Sequence, residues 1–319
     1  MTQNYVGVDL SKDFLDIYDP VRGASRVANT GVTVRRFLRS LSGEDFLIFE
    51  GEAIPAIGPR GGPNAGCDRG LREACAKGGT AYARINPLHG WHYAQSLNLA
   101  KTDRLDARML ARLGAERRPE PTPPDDPARA ELGVLNQRRD QLKRMETQEK
   151  NRLSGCAHQA VKCTIKASLK VLATQVRDID ALIAAHLQAH PKLGAQARLL
   201  QTIPGIGKVT STELLAHLSQ LGQIDRRAVA SLGGLAPKAR DSGKFYGKRA
   251  LGPGRRHVRK ALYMAAMNAL RHKGPFNNTV ARMRAAGKAP KVIIVALARK
   301  LLTIANAILR TGQPFRTHP

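Results

Sequence analysis

Between Asn4 and Asn86 the sequence switches repeatedly between a two-residue and a helical apolar period, which restricts this part of the chain to an α/β arrangement. NYVGVDL is a compact β-rich run, DFLDIYD alternates with period two, and the short connection between them suits a hairpin. VTVRRFLRSL then has helical spacing, FLIFE is a short buried strand, GLREACAKG is a helix ending at Gly78 and Gly79, and TAYARIN is another strand.

Three early strands followed by helix and strand alternation resemble a ribonuclease H or RuvC-like nuclease fold more than a doubly wound nucleotide-binding sheet. No GxxxxGKS or GxGxxG follows a strand, which argues against a nucleotide cofactor. Residues 51–67, GEAIPAIGPRGGPNAGC, form a long Gly- and Pro-rich loop, and PEPTPPDDP at 119–127 reads as a domain boundary. Three regions are therefore expected: 1–118, a linker with long helices over 119–196, and 197–319. In the middle region Ile165, Leu169, Leu172, Val176, Ile179 and Ile183 recur at spacings of three and four, with a weaker version at Leu135, Leu142 and Met145. The pattern fits antiparallel or intermolecular coiled-coil helices, the second ended by Pro191, and equally an amphipathic helix packed on its own domain.

Charge is distributed unevenly. Residues 201–319 hold 22 Lys and Arg against only Glu213, Asp225 and Asp241, a net of +19 out of the total of +27. Such a surface attracts a polyanion. The N-terminus lacks the pattern of a signal peptide, and no segment is expected to approach the ~20 apolar residues that span a bilayer, so a cytoplasmic protein with no membrane partner is the expectation. Cys67, Cys75, Cys156 and Cys163 show no CxxC spacing and are read as reduced thiols without a metal.

Against this basic background four acidic positions stand out: Asp9 at the end of the first strand, Glu50 or Glu52 at the end of FLIFEGEA, and Asp103 with Asp106 in KTDRLDARMLARL. Three-residue spacing puts Asp103 and Asp106 on one helical face, where they repel unless a cation lies between them. Convergent carboxylates are what two-metal phosphoryl transfer requires, and Mg²⁺ suits an oxygen-rich site. Each acid also has a plainer reading as a turn, strand-end or helix N-terminal residue. Further on, ARLLQTIPGIGKVTSTELLAHL sets a tight PGIG turn between helical patterns, a helix-hairpin-helix signature. There Gly205 and Gly207 let backbone N–H groups approach a phosphate beside Lys208. In APKARDSGKFYGKRALGPGRRHVRKAL, Ser242 lies in a Gly-flanked turn among Lys238, Arg240, Lys244, Lys248, Arg255, Arg256 and Arg259. These cations suit nucleic-acid contact, and by residue type alone Ser242 is a turn or cap residue.

Taken together, YVGVDLSK, KTDRLDARMLARL, IPGIGKVTSTELLAHL and GGLAPKARDSGKFYGKRALGPGRRHVRKAL, in that order, resemble the DEDD transposases of the insertion sequence 110 family, relatives of Piv-type DNA invertases. The resemblance implies a RuvC-like domain whose tetrad binds Mg²⁺, a coiled-coil insertion, and a C-terminal transposase domain with a nucleophilic serine. By carry-over Asp9, Asp103 and Asp106 match the tetrad and Ser242 matches the serine. It further implies strand exchange through a covalent phosphoserine, double-stranded DNA and a bridge RNA as partners, and a dimer or tetramer.

The chain departs from the family at the glutamate: the usual strand ends in EATG, whereas FEGEAIPAIGPRGGPNAGCDRG carries an insertion. Glu50 fits the strand position and is preferred over Glu52. Two other functions fit the same fold: a RuvC-like junction-resolving nuclease using water, and a catalytically inactive element protein that only binds RNA or DNA.

Overall fold

A computed structural model describes residues 3–51, 67–97, 103–124, 126–238, 241–242, 245–247, 250–272 and 274–316. Glu52 and most of the Gly- and Pro-rich loop, together with Lys244 and Lys248, lie outside them. The chain divides into two compact units, Met1–Pro124 and Asp125–Pro319.

The first unit is built on a five-stranded mixed sheet of order β3-β2-β1-β4-β5. Strands β1 (Asn4–Leu10), β2 (Phe14–Asp19) and β3 (Gly23–Ala28) form an antiparallel meander, while β4 (Asp45–Glu50) and β5 (Tyr82–Ile85) add in parallel beyond β1. The central pair is buried on both faces, which is why YVGVDL and FLIFE read as near-continuous apolar runs. β3 was invisible to patterning because GASRVA buries no residue fully. One face of the sheet carries Val6, Val8, Leu47 and Phe49 against α1 (Gly31–Arg39) and α2 (Asp68–Gly78). The other presents Tyr5, Phe46 and Ile48 to Met109, Leu110 and Leu113 of α4 (Asp103–Arg117), which follows α3 (Pro87–Ser96). As expected, α2 stops at Gly79, in the left-handed conformation at φ 68°.

The proline-rich stretch after α4 is not wholly a spacer. Thr122 N–H donates to the Tyr82 carbonyl, and the Arg84 N–H donates to Thr122 Oγ1, so this segment covers the outer edge of β5.

In the second unit α5 (Pro127–Gly155) and α6 (Gln159–Ala189) form an antiparallel helical hairpin, fixed by Arg139 to Asp180 at 2.6 Å and by His186 Nε2 to the Ala128 carbonyl at 2.8 Å. Leu172 and Ile183 of the predicted stripe are buried, so the stripe is met by a helix of the same chain. Met145 is exposed and lies off the packed face. The hairpin base joins a core formed with α7 (Pro191–Gln201), α8 (Lys208–His217), α9 (Arg226–Leu232), α10 (Arg256–Arg271) and α12 (Pro290–Thr311), and α11 (Asn277–Ala285) packs on α12. Contrary to the expectation that no apolar segment is long enough, α12 has the length and composition to cross a bilayer, with a mean hydropathy of 2.0. Its Leu297, Leu301, Leu302 and Ala305 are buried in this core, and its buried Asn306 accepts from Gly222 N–H and donates to the Ile224 carbonyl.

Between α9 and α10 the chain forms a β-ribbon. β6 (Pro237–Lys238) pairs with β9 (Ala250–Leu251), and β7 (Asp241–Ser242) with β8 (Phe245–Tyr246).

Candidate active site

The candidate carboxylate site begins with a glycine. A Cβ on Gly7 would fall on the Ala107 carbonyl oxygen and lie 2.6 Å from the Ala111 nitrogen, so α4 presses directly on the backbone of β1. One turn later Gly114 rests on Tyr5 and Ile48. Residue 107 therefore meets β1 near its carboxyl half and residue 114 nearer its start, so α4 runs against the strand. Its N-terminus points toward the carboxyl ends of β1 and β4.

Alternation does the rest. Asp9 follows Gly7 by two residues on the α4 side, and Glu50 follows Ile48 by two on the same side, with Gly7 in register with Ile48. From Gly7 to Asp9 the strand rises about 6.6 Å, and from Ala107 back to Asp103 the helix rises about 6 Å. The first turn of α4 is thus level with Asp9. Asp106 shares the packed stripe with Met109, Leu110 and Leu113 and is half-buried. Asp103 is the first residue of α4. Glu50 is the last residue of β4, paired with Ile85, and a Cβ on Gly90 of α3 would fall on its Oε1. The half-buried Asp9, Glu50 and Asp106 thus sit on one face at one end of the sheet, with the positive end of the α4 dipole beside them.

A fifth acid there was not singled out from the sequence. Asp16 is the cross-strand partner of Asp9 and is 4% exposed, and Arg26 grips it through Nε at 2.9 Å and Nη2 at 2.8 Å. Its charge is neutralised within the sheet. DFLDIYD contains the residue, but only the register shows that it faces Asp9. Behind the end of β4, Asp68 lies 2.8 Å from Arg84 and 3.0 Å from Arg72; burial lowers the Arg84 pKa while Asp68 opposes that shift.

In the second unit Ser242 ends β7, paired with Phe245 across a two-residue connection, so it stands at the tip of a ribbon where a loop turn was expected. The PGIG turn follows α7. Ile203 and Ile206 are buried, and Gly205 adopts φ 94° with a Cβ site 2.6 Å from the Ala265 carbonyl oxygen of α10. Internal packing therefore accounts for Gly205. Gly207, the N-cap of α8, has open space where a side chain would be, and it and Lys208 are exposed. Of the predicted cations Arg256 is exposed, whereas Arg255 donates to the His217 carbonyl at 2.6 Å and to Gln220 at 2.9 Å, and the Arg259 guanidinium lies against Gly234. An open cleft of about 460 Å³ lined by Arg226, Arg227, Arg299 and Lys300 of α9 and α12 adds four cations that the sequence revealed only as net charge.

A family model described as the Transposase IS116/IS110/IS902 family matches residues 197–281, which hold the PGIG turn, the ribbon and α10. A second, described as Transposase and of the IS110 DEDD type, matches residues 62–161, including Asp103 and Asp106. A pilin gene-inverting protein of Moraxella bovis is 34% identical over 236 residues, 72% of this chain and 73% of that protein. The insertion element IS110 uncharacterized 43.6 kDa protein of Streptomyces coelicolor is 30% identical over 47% of this chain and 36% of that protein. The insertion element IS900 uncharacterized 42 kDa protein of Mycobacterium paratuberculosis is 32% identical over 44% of this chain and 35% of that protein.

Proposed function

Because the chain belongs to the IS110 family of transposases and related DNA invertases, enzymes that cleave and rejoin DNA, we propose that it recombines an insertion sequence through a carboxylate tetrad and a serine nucleophile. The observation that carries the reading is the packing of α4 on Gly7, which brings the start of α4 to the carboxyl end of the sheet, where Asp9 is the penultimate residue of β1 and Glu50 the last of β4.

In this reading the first unit is RuvC-like, α5 and α6 are the coiled-coil insertion, and the PGIG turn is a helix-hairpin-helix. The donor set at the sheet end is all oxygen and fits Mg²⁺. Asp9, Glu50, Asp103 and Asp106 would hold it. When bound, Mg²⁺ supplies activation of the attacking oxygen and stabilisation of the leaving one. Ser242 Oγ attacks the scissile phosphorus, forming an Oγ–P bond as the bond to the leaving deoxyribose oxygen breaks. The serine proton passes to solvent and the leaving oxygen is protonated in turn. The phosphoserine conserves the bond for rejoining to a second DNA end. Gly207, Lys208 and Arg256, with Lys244 and Lys248, contact phosphates without reading sequence. Sequence choice falls to an element-encoded bridge RNA, and the active form is a dimer or tetramer in the cytoplasm.

The test is to incubate the protein with Mg²⁺, element-flanking RNA and labelled element-junction DNA, and to resolve covalent adducts on a denaturing gel. An adduct abolished by Ser242→Ala and by Asp9→Ala is expected. Cleavage without an adduct would assign the attack to water, and binding without either would mark an inactive element protein.

A further inference from the structure

The second unit contains a buried cluster that the recombination chemistry leaves unused. Glu213 and His217 stand one turn apart on α8, and His257 comes from the first turn of α10. His217 Nε2 is 3.1 Å from Glu213 Oε2, His257 Nδ1 is 3.9 Å from the same oxygen, and the imidazole centroids are 4.8 Å apart. One ligand atom from each residue lies within 4.8 Å of the others; among the described residues this is the group of three or more His, Cys, Asp or Glu so arranged.

Glu213 is 9% exposed and His217 is 4% exposed. Despite its 3.1 Å approach, the Glu213–His217 contact is off the hydrogen-bond axis, so Glu213 Oε2 is buried with no hydrogen-bond partner, as is His217 Nδ1. A buried carboxylate oxygen left in that state costs several kcal/mol unless a cation meets it. Nearby charges are engaged elsewhere: Lys260 pairs with Asp140 at 2.5 Å, and Arg255 donates to the His217 carbonyl and Gln220.

We propose that Glu213, His217 and His257 bind a zinc-class divalent cation that clips α8 to α10. Two imidazoles and a carboxylate select a borderline metal over Mg²⁺. Bonds of about 2.1 Å in a tetrahedron place ligand atoms about 3.4 Å apart, so the observed 3.1 and 3.9 Å require adjustments of about half an ångström, and the two imidazoles, within 4.8 Å, close by at most about 1.4 Å through side-chain rotation. Water would take the fourth position. The role is positional: Glu213 and His217 lie in the second half of α8 and His257 in the first turn of α10, so ligation fixes the spacing of these two helices, which in the function proposed above carry the phosphate contacts Lys208 and Arg256. The inference does not depend on the carboxylate site or on Ser242.

The test uses the full chain carrying Asp9→Asn and Asp106→Asn, stripped with a chelator and titrated with Zn²⁺ against a chromogenic competitor. One equivalent should bind, and Co²⁺ should give the intense visible bands of four-coordination without a thiolate charge-transfer band. Glu213→Gln and His257→Gln, each checked for a native far-UV spectrum, should weaken Zn²⁺ binding by about a hundredfold and remove the zinc-induced rise in Tm. No bound equivalent, equal affinity in both variants, or a thiolate band from the cysteines would overturn the assignment.

Discussion

Gly7→Ala is the sharpest perturbation of the candidate active site, because it changes no acid. The added methyl would lie 2.6 Å from the Ala111 nitrogen, and ordinary contact begins at 3.4 Å, so clearing that atom alone needs about 0.8 Å. The Ala107 carbonyl oxygen, at 1.9 Å, needs about 1.5 Å, and both are helix backbone that cannot rotate away, so α4 retreats by more than about 1 Å. Overpacking of this kind costs about 1–3 kcal/mol, offset by about 0.4–1 kcal/mol from the stiffer unfolded chain. A 1 Å misplacement of catalytic groups can cost about a hundredfold in rate, and Asp103 and Asp106 ride on α4. Urea unfolding should thus show a loss of about 1–2 kcal/mol, while adduct formation at saturating DNA falls about a hundredfold. Gly114→Ala is the control: its methyl meets the Ile48 and Tyr5 side chains at 2.6 and 3.0 Å, which can give way, so the rate should fall far less. If Gly7→Ala loses stability but keeps its rate, the position of α4 does not assemble the site.

Two further outcomes follow from the same structure. Gly205→Ala should cost about 2 kcal/mol in urea unfolding, since φ 94° and the Ala265 carbonyl both oppose it, whereas Gly207→Ala should change stability by less than about 1 kcal/mol while weakening DNA binding in a filter assay. Burial raises the pKa of the Asp45 carboxyl, but hydrogen bonds from Arg22, Asn4 and Ser42 outweigh it and hold the value at about 2, below its ordinary 3.8. The native value is the lower one, so this stabilisation, about 2 kcal/mol, is complete above pH 3.8 and is lost as the pH falls through about 2. Asp45→Asn should flatten the fall in urea midpoint over that range, and an unchanged slope would refute the attribution.

The sequence was most legible where one period dominated. β1, β2, β4 and β5 follow from apolar runs and α2 from its glycine stop, because burial on a sheet face writes itself into local pattern. The ribbon around Ser242 and the strand GASRVA were not legible, since short or exposed strands bury too little to set a period. Asp9, Glu50 and the Asp103–Asp106 pair could be picked out as acids at element ends, yet the common face of Asp9, Glu50 and Asp106 depends on Gly7 and on strand register. Asp16 and the Glu213, His217 and His257 cluster depend wholly on tertiary neighbours: a carboxylate opposite Asp9, and a histidine contributed by a different helix.

The helical hairpin of α5 and α6 is anchored over only part of its length. Leu132, Leu135, Ile179, Ile183 and Leu187 join the core of the second unit, whereas among the described residues none on the two helices beyond Leu142 and Leu172 belongs to that core. From Lys143 to Gly155 that unsupported reach is about 20 Å. Amide exchange should therefore quicken from base to tip, as local opening there breaks few apolar contacts. The same geometry makes the hairpin a lever arm, in which a small tilt at the anchored end becomes a large displacement at the tip.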